Sequence, residues 1–88
     1  MRTVIEAPHV SEVIDAEETI YPRLADAFDA LKWWLSHVPE SGEIIDDVNW
    51  LYKQTGNRSQ NIPALVVIYT FDHRCVTISH VLVRIPTL

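Results

Sequence analysis

Lys53, Arg58, His80 and Arg84 are the residues of this 88-residue chain whose types, taken together, could do chemistry. Arginine and lysine stabilise the negative charge that builds on a phosphorane-like transition state, and histidine moves protons near neutral pH. Cleavage of RNA through its own 2′-hydroxyl needs such a set and no metal. The same residues also read as three solvated surface charges and one satisfied sheet histidine. Their spacing alone does not choose between the two readings.

Other chemistries find less support. The chain has two glycines, Gly42 and Gly56, which excludes a glycine-rich loop for phosphate. Its four histidines (His9, His37, His73 and His80) follow no zinc-binding spacing, so no metal or cofactor is expected. Asp72-His73 is the one local acid–imidazole pair, and no nucleophile elbow is present. Cys75 is the only cysteine, so no internal disulfide can form, and a reducing cytoplasm fits. It follows His73 and Arg74, which could activate a thiol, but a packed filler side chain is the simpler role.

The net charge of −5 hides an asymmetry. Residues 1–47 carry eleven acids and three bases; residues 48–88 carry one acid, Asp72, and four bases. A nucleic-acid binder presents a dense basic stripe, and four scattered cations make only a thin one. The acidic half would repel phosphate at long range.

Positioning these residues falls to the elements around them. The length fits one domain. The longest apolar run, residues 64–69, is far short of the roughly 20 residues of a membrane helix, and residues 1–8 do not resemble a secretory signal. Thr3–Ala7 is β-branched and stopped by Pro8, which predicts a first strand. A short helix is expected from His9, with Val10, Val13, Ile14 and Glu17 at helical spacing. The clearest element is a helix over about 21–38, where Leu24, Ala27, Phe28, Leu31, Leu35 and Val38 form one apolar stripe. Strands are expected at about 49–54, 64–71 and 75–84, with a polar loop at 54–61, a tight connection at 72–74 and a tail from Ile85 to Leu88. The fold class is therefore α+β.

The last two strands are apolar at nearly every position, so both faces of the sheet need cover. A three-residue connection would set Phe71 opposite Cys75 and Val66 opposite His80. One face would then hold Val66, Ile68, Val76, Ile78, His80 and Leu82. The other would hold Leu65, Val67, Tyr69, Phe71, Val81 and Val83. Two helices can cover one face; the other invites a homodimer or another protein partner. Trp33 and Trp34 point about 100° apart on a helix, so both cannot join one core stripe. They are either half-buried against loops or part of a contact surface.

The order strand, two helices and a three-strand meander resembles the RelE/ParE superfamily of toxin–antitoxin toxins. The resemblance is carried by Ala30–Ile45, which looks like the family's second helix and its Leu…Pro-x-x-Gly turn. Leu65–Tyr69 resembles the strand that commonly reads Tyr-Arg-Val-Ile-Tyr, and Asp72 with Val76–Val81 resembles the hairpin and last strand. The implied fold is β-α-α-β-β-β, with two helices on an antiparallel sheet. The implied function is that of a type II toxin, a plasmid-stabilisation component that cleaves mRNA on the ribosome or inhibits gyrase and is neutralised by an antitoxin protein. This chain departs from the pattern. Leu65 and Val66 stand where the family has tyrosine and arginine, and the basic pair on the second strand is reduced to Lys53. These departures leave weak RNA cleavage through Lys53, Arg58, His80 and Arg84 as the lesser expectation, and action through protein contacts as the greater. The alternative is a non-catalytic homodimeric interaction module using the sheet face or Trp33 and Trp34.

Overall fold

The computed structural model describes residues 1–85; most of the expected tail, residues 86–88, lies outside them. Strand β1 (Thr3–Glu6) gives way at once to helix α1 (Pro8–Glu17). Proline occupies the first helical position, where its missing N–H is no loss and its fixed φ suits the helix. Val10 and Ile14 form its buried stripe. Helix α2 (Leu24–His37) buries Leu24, Ala27, Phe28, Leu31 and Leu35, the stripe expected from the sequence. It begins three residues later than expected, because Pro22 lies in the turn in which Leu24 N–H bonds to the Tyr21 carbonyl. A 3-10 turn (Pro39–Ser41) follows, then β2 (Glu43–Ile44), β3 (Trp50–Gln54), a second 3-10 turn (Arg58–Gln60), β4 (Ala64–Phe71) and β5 (Cys75–Arg84).

The five strands form one sheet in the order β1-β5-β4-β3-β2. The expectation of an antiparallel sheet of three or four strands needs correction. The sheet is mixed, because β1 runs parallel to β5, with Thr3 beside Cys75 and Glu6 beside Ile78. Parallel pairing needs a long return connection. Here the two helices and the rest of the sheet supply it, so nothing in β1's own pattern announces its direction. Strand β2 was also unforeseen: two residues are too few to produce an alternation.

A bulge sets the faces of the hairpin. Phe71 pairs with Val76, Tyr69 with Ile78, Ile68 with His80 and Val66 with Leu82, with the register shift between Ile68 and Tyr69. Ser79 is the extra residue, and its hydroxyl donates to the Ile68 carbonyl. An inserted residue reverses inward and outward for the strand beyond it. Val76 and Ile78 therefore face the core before the bulge, and Val81 and Val83 face it afterwards. The expected pairings, Phe71 with Cys75 and Val66 with His80, are thus corrected. So is the grouping of Val76 and Ile78 with His80 and Leu82.

Both helices pack on this inner face against Leu65, Val67, Tyr69, Val76 and Ile78, all fully buried. Polar contacts tie the layers together. Gln54 donates to the Ala27 carbonyl, linking β3 to α2. Lys32 reaches back from α2 to Glu6 of β1 at 3.0 Å, with Asp29 at 3.4 Å. Burial pushes the Lys32 ammonium toward neutrality, but hydrogen bonding and charge from Glu6 and then Asp29 outweigh it and raise its pKa above the ordinary value. The Tyr69 hydroxyl donates to the Pro39 carbonyl and fixes the turn after α2 on the sheet. Gly42 belongs to the same contact. A Cβ there would stand 2.4 Å from the Tyr69 hydroxyl and 2.6 Å from the Leu51 carbonyl oxygen.

Candidate functional site on the outer face of the sheet

Alternation along the strands places a second set of side chains on the face away from the helices. From β1 to β3 these include Ile5, Thr77, His80, Leu82, Arg84, Val66, Ile68, Leu51 and Lys53. Among the described residues the helices pack on the opposite face, and His9 at the start of α1 reaches this one at His80. Leu82 is 52% exposed and Ile5 47%, while Val66, Ile68 and Leu51 are half-buried by their neighbours on the sheet. The face is thus an apolar strip with three basic or imidazole side chains set into it.

Lys53 and Arg84 lie on the strands either side of β4. Lys53 pairs with Val66, and Arg84 pairs with Ala64 two residues away. Together with Gln54, Thr55, Leu65 and Ile85 they line an open depression of about 360 Å³. Among the described residues no acidic side chain lines it. It can receive a carboxylate or another anion between two long cationic arms with apolar contact beneath.

His80 stands apart from that depression. It pairs with Ile68, four residues before Arg84 on β5, which is about 13 Å along a strand. Its Nδ1 lies 3.1 Å from Ser79 Oγ. With its single proton given to the Ile68 carbonyl, Ser79 Oγ presents lone pairs to His80. In the tautomer with Nδ1 protonated, Nδ1 donates to Oγ and Nε2 keeps the lone pair. On its other side, the His80 ring meets His9 of α1, with 5.5 Å between centroids in an edge-to-face arrangement.

Arg58 belongs to neither group. It opens the second 3-10 turn, capped by Asn57, whose side chain accepts from the Gln60 N–H. Asn61 closes the turn at φ 55°, the left-handed conformation that asparagine tolerates. Gln60 then accepts from Arg23, and Asn61 donates to the Ile20 carbonyl. These contacts hold the loop to the helix layer. Of the four residues marked in the sequence, Lys53 and Arg84 thus share a depression, His80 lies on the same face outside it, with the same two-residue offset from Lys53 as Arg84 has, and Arg58 is held on a separate loop.

The two-signed charge pattern becomes spatial. Glu12, Asp15, Asp26 and Asp29 are exposed on the helices, while Lys53, His80 and Arg84 are exposed on the opposite layer. Two features escape linear reading. His9 meets His80 only because β1 lies beside β5, and Ser79 orients His80 only because of the bulge. The signal for the second was a polar residue breaking an apolar run. Trp33 and Trp34 are both exposed, the former stacked on His37 at 4.2 Å and the latter donating to Ser41.

No helix among the described residues is long and apolar enough to cross a membrane. No family model, curated protein or solved structure matches the chain.

Proposed function

We propose that the chain is a divergent toxin-like component of a type II toxin–antitoxin system, of RelE/ParE kind, that acts through protein contacts made by the outer face of its sheet. The observation that carries this reading is the uncovered strip of Ile5, Leu82, Val66, Ile68 and Leu51 with Lys53 and Arg84 flanking a depression at one end. An apolar strip with a few fixed cations suits a protein surface bearing carboxylates. Arg58 is held on a loop tied to the helix layer, and His80 does not line the depression shared by Lys53 and Arg84; this supports contact over RNA cleavage, since cleavage requires acid–base and charge-stabilising groups around a single phosphate. The antitoxin would be the partner that neutralises this surface, and the chain would work in the cytoplasm.

The experiment is controlled expression in a bacterial host. Growth arrest is expected, relieved by co-expression of the product of the neighbouring reading frame. Leu82→Asp should abolish the arrest in a folded protein, because it places a charge in the strip. His80→Ala should leave it in place. Arrest lost equally with His80→Ala and Arg58→Ala, accompanied by loss of RNA cleavage in vitro, would replace this reading with a metal-independent ribonuclease. Absence of arrest, together with a dimer in solution, would favour the homodimeric module; the exposed Trp33 is the feature that suits it.

A further inference from the structure

We propose that His9 and His80 form a two-point binding site for a borderline transition cation such as Zn²⁺. The proposal is independent of the toxin-like reading. The two rings come from separate elements, the start of α1 and the far side of the β5 bulge. Their centroids are 5.5 Å apart and their planes 62° apart. Two imidazoles on one tetrahedral zinc, with Zn–N near 2.0–2.1 Å, place their centroids about 5 Å apart, so the ring spacing fits one ion once the exposed rings turn a nitrogen each toward it.

The surroundings of His80 match what metal-bound histidines require. A ligating imidazole binds through one nitrogen while the other is hydrogen-bonded, which fixes tautomer and ring orientation. Ser79 can do this for His80: its Oγ lies 3.1 Å from Nδ1, which leaves Nε2 for a metal in the tautomer with Nδ1 protonated. His9 is exposed at the beginning of α1 and can turn its ring without disturbing the core. Among the described residues no cluster of three or more ligating side chains exists. The protein thus supplies two ligands and water completes the shell. Such a site is open, and an incoming partner's side chain could take one of the water positions.

The test is titration of the intact chain with ZnCl₂, followed by calorimetry and by the nitrogen-coupled ring signals of all four histidines. His9 and His80 should shift together, at lower zinc than His37 or His73. Either His9→Ala or His80→Asn should weaken binding by about tenfold or more, because the second nitrogen of a chelate benefits from a high local concentration. Both positions are exposed, and unchanged circular dichroism would confirm that each variant folds. Four histidines responding alike, or His9→Ala leaving the affinity unaltered, would overturn the proposal. Growth assays do not enter this test, so its failure is distinct from failure of the functional reading.

Discussion

The two faces of one sheet differ more than their composition does. On the inner face, Leu65, Val67 and Tyr69 of β4 are completely removed from water by two helices. On the outer face, Val66 and Ile68 of the same strand are only half-buried, and Leu82 across from Val66 is 52% exposed. Adjacent residues of near-identical chemistry thus have different work. The inner set lowers the free energy of the fold by burial, at roughly 25 cal/mol per Å² of apolar surface. The outer set leaves apolar area open to water, the feature on which the proposed contact surface rests.

The largest expected effect sharpens this contrast directly. Leu65→Ala should lower stability by about 3 kcal/mol, since a buried leucine leaves a cavity behind it. Leu82→Ala should lower it by less than about 1 kcal/mol, as exposed substitutions do. Urea unfolding of the two variants measures the difference, and equal losses would mean that both faces are covered.

Next in size are the changes around Tyr69. Tyr69→Phe should lose about 1–3 kcal/mol, because the Pro39 carbonyl loses its donor in a buried place. Gly42→Ala should lose a similar amount, about 1–3 kcal/mol, through overpacking against the Tyr69 hydroxyl and the Leu51 carbonyl. Denaturant midpoints of both variants test whether the turn after α2 is anchored as described.

A pH scan reads the same contact without mutation. Burial pushes the Tyr69 phenol up to about 12, with the Gly42 N–H opposing the shift and the nearby Glu40 charge adding to it. A tyrosine in the unfolded chain ionises near 10. The folded state therefore holds the proton more tightly between those values. Its contribution to stability is complete below pH 10 and is lost as the pH rises from 10 through 12. The urea midpoint of the native chain should decline over that interval, and Tyr69→Phe should flatten the decline.

The smallest expected effect belongs to the β4–β5 turn. Backbone N–H groups of Arg74 and Cys75 bond the Asp72 carboxylate at 2.7 and 2.8 Å and hold its pKa below the usual range. Asp72→Ala should lower the urea midpoint slightly at neutral pH. The gap to the native chain should close as the pH falls through and below the ordinary carboxylate range, where the stabilising charge is lost.

Much of this architecture is legible in the residues. The stripe of Leu24, Ala27, Phe28, Leu31 and Leu35 predicts α2 and its buried face, and the two long apolar runs predict β4 and β5. Register was not legible, because in strands apolar at nearly every position either face could be the inner one. A single serine decides it, by the bulge at Ser79. The direction of β1 was equally hidden, since pairing across some seventy residues leaves no local trace. The candidate site suffered from both. Lys53 and Arg84 flank one depression because of register, His80 meets His9 because of the parallel pairing, and Arg58 falls away because its loop is tied to Ile20 and Arg23. Residue types identified the participants, and their grouping came from contacts remote in sequence.

The growth phenotype of Leu82→Asp, read beside its thermal stability, tests the central claim most directly. The account predicts a protein that melts within a few degrees of the native chain yet no longer arrests growth, since the outer strip contributes to contact and little to folding. A variant that melts normally and arrests growth as the native chain does would contradict it.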